Sequence, residues 1–98
     1  MNKKRTLYLT FNSYKQESFK LEFMEIYDFT DTMDCMIHFQ NQIQMEKILS
    51  ICEDIRKDEG FAIAKIETDK GIGFTADVFV YHTIGNRGKL HLRILDNN

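Results

Sequence analysis

Two cysteines, three histidines and fifteen acids are the side chains of this 98-residue sequence best suited to chemistry, and their spacing limits what that chemistry is. Cys35 and His38 stand three apart in an alternating segment. On a strand that spacing sends the two side chains to opposite faces, so they share neither a metal ion nor a proton. Cys52 falls on an apolar helical stripe, where a buried thiol is the expected role. His82 and His91 come together only if the last hairpin closes through a tight two-residue loop, and no carboxylate stands close to them in sequence. A nucleophilic cysteine would need one of those histidines brought to it by folding. Gly71-Ile72-Gly73 lacks the third glycine and the following helix of a dinucleotide site, and there is no P-loop or nucleophile elbow. No pair of acids is singled out for glycoside chemistry. The sequence therefore predicts no catalytic residue, no metal ligand and no cofactor, and a small hydrolase stands only as the third functional alternative.

Two constellations suit binding instead. Glu22, Glu25, Asp28, Asp31 and Asp34 recur every third residue, a spacing that invites comparison with a phosphate backbone offered to a basic partner. On a strand, however, such a spacing alternates faces, and on a helix it drifts by about 60° per step. Acids guarding a solvated strand edge are the competing reading. The second constellation is Phe79, Tyr81, Arg87, Lys89, His91 and Arg93, on either side of the turn Gly85-Asn86-Arg87-Gly88. A two-residue loop at Asn86–Arg87 would set His82 opposite His91 and put Phe79 and Tyr81 with Leu90, Leu92 and Ile94. A bulged loop with Gly88 left-handed moves the pairing by one, which swaps the faces. Phe79 and Tyr81 then stand with Lys89, His91 and Arg93. Arginine is poor at positive φ and glycine is free there, so the bulged register is expected. It yields an aromatic and basic face of the kind that stacks bases or anchors a protein interface. The plainer alternative packs the two rings beneath another element and leaves the cations solvated.

The elements that must position these residues follow from periodicity. Leu7, Leu9 and Phe11 alternate with polar neighbours and predict a strand over residues 5–12. Phe19, Leu21 and Phe23 predict a second, whose phase slips at Phe23–Met24 as a β-bulge would explain. A helix capped by Ser13 and Gln16 is the rival for residues 17–28, with Phe19, Phe23, Ile26 and Tyr27 at helical spacing. Strand is preferred because aromatic and branched residues favour it. Residues 30–34 read as a loop, and Cys35, Ile37 and Phe39 as a short strand. Met45, Ile48, Leu49, Cys52 and Ile55 recur at three and four, predicting an amphipathic helix over 41–59 stopped by Gly60. Three more strands follow, separated by turns at 69–73 and 85–88. The expected fold is α+β: a largely antiparallel sheet of five or six strands in the order β-β-β-α-β-β-β, with one main helix lying on it.

Length and composition agree with a single domain over residues 1–98. A chain this long buries very roughly 65% of its unfolded surface, and 43% hydrophobic residues with eight Phe supply the core. Net charge is −2, poorly matched as a whole to nucleic acid. The basic start of the chain lacks the apolar run of a signal peptide, and no segment reaches the roughly 20 apolar residues of a membrane helix. A cytoplasmic protein with reduced cysteines and no membrane partner is expected. The leading functional expectation is a small non-enzymatic interaction protein that binds a protein partner. An accessory protein of a phage or other mobile element, inhibiting a host defence nuclease in the anti-CRISPR manner, is one concrete version. A single-stranded nucleic-acid binder using residues 79–93 is the alternative, and a homodimer through edge strands is the expected form of self-association.

Overall fold

The computed structural model describes residues 4–14, 17–28 and 30–96, with the backbone alone at Tyr27, Asp28 and Asp96. Six strands and one helix follow in the expected order: β1 (Arg5–Phe11), β2 (Phe19–Asp28), β3 (Thr32–His38), α1 (Gln42–Glu59), β4 (Ile63–Thr68), β5 (Gly73–Ile84) and β6 (Arg87–Asp96). All neighbours are antiparallel, and the sheet closes on itself in the order β1-β2-β3-β6-β5-β4. Closure comes from β1 pairing with β4, with Leu9 opposite Ile66. The expected open sheet with a helix on one face is thus corrected to a barrel. Its two terminal strands cover each other, so they are not the free edges anticipated for dimerisation.

The barrel interior takes the alternate residues that the periodicity marked. Leu7, Leu9, Phe11, Leu21, Phe23, Ile37, Ile66, Val78, Leu90 and Leu92 are all buried in one core. The stripe of α1 joins it through Met45, Ile48, Cys52 and Ile55. The helix crosses the barrel end at which β1 stops and β2 starts. Gln44 Nε2 donates to the Lys20 carbonyl at 3.3 Å, Lys47 pairs with Glu17 at 2.5 Å, and Ser13 Oγ donates to Glu59 at 2.6 Å. Both ends of α1 are capped by their own chemistry. The Asn41 side chain accepts the Gln44 N–H at 2.8 Å, and Gly60 takes φ 83° with its N–H returned to Arg56.

Phe19–Asp28 is strand, as preferred, so the rival helix is set aside. Two local expectations change. The bulge in β2 falls between Glu25 and Tyr27, not at Phe23–Met24. Glu25 keeps the inward parity of Phe23 as far as the barrel rim, where Arg5 binds it; an acid in an inward slot made the phase look lost. Residues 32–34, expected as loop, belong to β3, because Met33 is buried and Asp34 is engaged by His91 across the ladder. Among the described residues, no helix is long and apolar enough to cross a membrane.

Candidate functional site

The last hairpin pairs β5 with β6, with register shifts at Thr75/Ala76 and His82/Ile84. Ala76 faces Ile94, Val78 faces Leu92, Phe79 faces His91, Val80 faces Leu90 and Tyr81 faces Lys89. Phe79 and Tyr81 therefore stand outside the barrel with Lys89, His91 and Arg93, the partition expected of the bulged register. The device that sets it is different. The loop is Gly85–Asn86, between Ile84 and Arg87, and the extra residue is Thr83 in β5. Gly85 carries the positive φ of 57°, as the first position of a type II′ turn requires. Gly88 is not left-handed. It is needed for space, because a Cβ there would meet the Tyr81 carbonyl at 2.6 Å and the Phe39 ring at 2.9 Å. His82 faces Gly88 rather than His91, so the two histidines are not brought together. Cys35 is buried while His38 stands half-buried on the alternate face.

The outer face is modified by two acids and one cation. Asp34 accepts from His91 Nδ1 and lies 3.9 Å from Lys89 Nζ, so part of the basic row is already answered. Arg56 reaches round the edge of β5 from the helix and lays its guanidinium over the Phe79 ring, 3.9 Å from the centroid. The same group donates to Asp77 Oδ1 at 2.8 Å and to the Val78 carbonyl at 2.6 Å. Asp77 is 2% exposed and also accepts the Ala62 N–H at 3.0 Å, so the buried carboxylate has both its charge and its lone pairs satisfied. Cys52 Sγ lies 3.3 Å from the Val78 carbonyl, and burial pushes its thiol pKa up.

With Phe79 covered, the exposed apolar surface near the tip of the hairpin is Tyr81 at 52% and Ile84 at 71%, while Leu95 is exposed at its far end. Exposed Arg87 follows just across the loop. A groove of about 350 Å³ runs between α1 and this strand, lined by Leu49, Cys52, Glu53, Arg56, Val80 and Tyr81 among others. Ile84 and Arg56 escaped the sequence reading, and Asp34 entered it only as one of the acidic series. Ile84 was hidden by the change of parity at Thr83, and nothing in the spacing of a helical arginine says that it will cover a ring on a strand 23 residues later.

The acidic series does not converge. Glu22 lies on the outer face opposite His38, whereas Glu25 sits at the rim with Arg5. Asp28 pairs through its backbone with Met33, and its side chain lies outside the described set. Asp31 uses its carbonyl to hold the Ile94 N–H, and Asp34 faces His91. Alternation along the strand divides the series, as the period of two dictates. Among the described residues no group of three or more His, Cys, Asp or Glu side chains could hold a metal ion. Comparison with family models, curated proteins and solved structures gives no match.

Proposed function

We propose that this chain is a non-enzymatic interaction protein of the cytoplasm that holds a protein partner with the outer side and tip of its β5–β6 hairpin. The observation that carries the reading is the exposure of Tyr81 and Ile84 next to Arg87 on a fully paired hairpin. A tyrosine and an arginine fixed on rigid backbone lose little entropy on contact and are the side chains from which interface hot spots are built. Cys52, a free buried thiol, suits a reducing compartment. A phage or mobile-element accessory protein that inhibits a host defence nuclease is the narrower form of the same proposal, with this hairpin as its contact.

The second reading, single-stranded nucleic acid on the 79–93 face, is favoured by the gathering of Phe79, Tyr81, Lys89, His91 and Arg93 on one side. Two features weigh against it. Arg56 occupies the Phe79 face that a base would stack on, and Asp34 answers His91 and Lys89. Tyr81 alone remains as a stacking platform.

Affinity capture from the native host separates the two. Wild-type protein and a Tyr81→Ala/Ile84→Ser/Arg87→Ala variant are compared with a control altered at exposed Tyr8 and Ile43. A specific protein retained by wild type and control but lost by the triple variant is expected. Equal capture by all three sinks the proposal, and salt-sensitive oligonucleotide binding that falls on Tyr81→Ala and Arg93→Ala would replace it.

A further inference from the structure

Among the described sulfur side chains, Cys35, Cys52, Met33 and Met45 are buried, whereas Met24 and Met36 stand half-buried on the outside of the barrel. The pleat puts them there, because Phe23 on β2 and Cys35 and Ile37 on β3 take the neighbouring inward slots. The ladder then sets Met24 directly opposite Met36, and Glu22 directly opposite His38. Met36 and His38 are two apart on one strand, so all four side chains share the outer face. Partners across a ladder hold their Cβ atoms about 5 Å apart, and second neighbours along a strand stand about 6.7 Å apart. Two thioethers and one imidazole at those spacings are within reach of a common point. One cavity of about 180 Å³ is lined by Glu22, Met24, Met36 and His38 together. β1 accompanies β2 only as far as the Arg5–Phe23 pair, so Met24 stands just beyond the last rung of that ladder.

We propose that Met24, Met36 and His38 form a binding site for a soft monovalent metal ion, Cu(I) in the cell. None of the three ligands lies on β5 or β6, so the site is independent of the protein-contact surface proposed above. Thioether sulfur is polarisable and uncharged and selects soft ions such as Cu(I), whereas magnesium, calcium and manganese call for oxygen. That His, Cys, Asp and Glu form no metal cluster among the described residues does not bear on it, because two of its three donors are thioethers. The imidazole adds a nitrogen donor that suits copper. Glu22, the cross-strand neighbour of His38, is the carboxylate placed to orient that imidazole and to offset the charge of the ion. The flanks set the valence. Lys4 and Arg87 line the same cavity, and both are exposed. Coulomb repulsion scales with charge, so these cations oppose a divalent ion twice as strongly as a monovalent one. The unbranched, flexible chain of methionine lets both sulfurs close on the ion while the backbone stays in place.

Silver(I), a redox-inert ion of the same charge, is the first probe. Protein isotope-labelled at its methionine methyl groups is titrated with silver nitrate and followed by nuclear magnetic resonance. The Met24 and Met36 methyl signals and the His38 ring protons are expected to shift together and to saturate at one equivalent. Met33 and Met45, buried in the core, are the internal controls and are expected to stay in place. Cu(I), kept reduced in anaerobic buffer, is expected to shift the same three residues. Met24→Leu/Met36→Leu conserves volume and should keep the circular dichroism spectrum of the wild type. It is expected to bind Ag(I) more weakly by at least the roughly 10–100-fold that loss of a mere supporting group costs a metal site. Met24 and Met36 signals that do not move, uptake confined to Cys35 or Cys52, or an affinity unchanged in the double variant overturns the proposal. Should the double variant fail to fold, the methyl titration of the wild type decides alone.

Discussion

Asp77 shows how one buried carboxylate ties the helix to the barrel. Its oxygen receives both Arg56 and the Ala62 N–H, so removing it leaves a guanidinium and an amide without their acceptor. Asp77→Ala is expected to lower stability by about 2–3 kcal/mol in urea denaturation. That is the low end of the range for a broken buried pair, since the Arg56 side chain, 29% exposed, can turn to water. Asp77→Asn keeps an acceptor and should recover part of the loss. Asp69 at the opposite rim gives a pH effect of known sign. The Thr6 N–H, and after it Arg5, hold its carboxyl below its ordinary value of 3.8. A carboxyl depressed in the folded state contributes fully above that ordinary value, and the contribution is lost as pH falls through the depressed one. Stability of the wild type should therefore fall more steeply than that of Asp69→Asn as pH drops below 3.8, which acid titration followed by circular dichroism reads directly.

Among the elements, α1 was legible in full because its determinants are local: a stripe at three and four, an asparagine before it and a glycine after it. Asn41→Ala is expected to cost about 1 kcal/mol, read as a shift in urea midpoint with little change in slope. The hairpin was legible in its faces and illegible in its turn. Alternation of Val78 and Val80 against Phe79 and Tyr81 fixes which residues go inside, whatever the loop does. The loop depends on two glycines whose jobs cannot be told apart from sequence, one supplying φ and the other space. Gly88→Ala, pressed against the Phe39 ring and the Tyr81 carbonyl, should destabilise by about 1–3 kcal/mol despite adding only a methyl group. Where the pattern broke, at Glu25, Asp34 and Asp77, an acid occupied a slot whose neighbour in space was a cation from a distant element. Such pairings span the chain and leave no local trace: the sequence allowed that Phe79 and Tyr81 lie beneath another element, but not that Arg56 covers Phe79 alone and leaves Tyr81 exposed.

For the whole molecule the decisive contact is the one between β1 and β4. Local alternation gives strands but does not say whether a sheet stays open, because closure is a single pairing between segments far apart in sequence. Here it joins Leu7 to Thr68 and Phe11 to Ala64, while α1 plugs one end. Without that pairing β1 and β4 would each present a long unpaired edge, the condition under which sheets aggregate. The barrel should therefore unfold as one unit. Leu9→Ala, at a fully buried position of β1 facing Ile66 across the seam, is expected to cost about 2–5 kcal/mol with a single transition preserved. A chain that begins after β1 is expected to lose the fold altogether and to elute as soluble aggregate. Coincident urea curves from far-ultraviolet circular dichroism and tyrosine fluorescence would support closure as the cooperative step. If the chain lacking β1 stayed monomeric and kept its hairpin shifts in nuclear magnetic resonance, the hairpin and helix would form a core of their own. The seam would then be an accessory to the fold rather than its keystone.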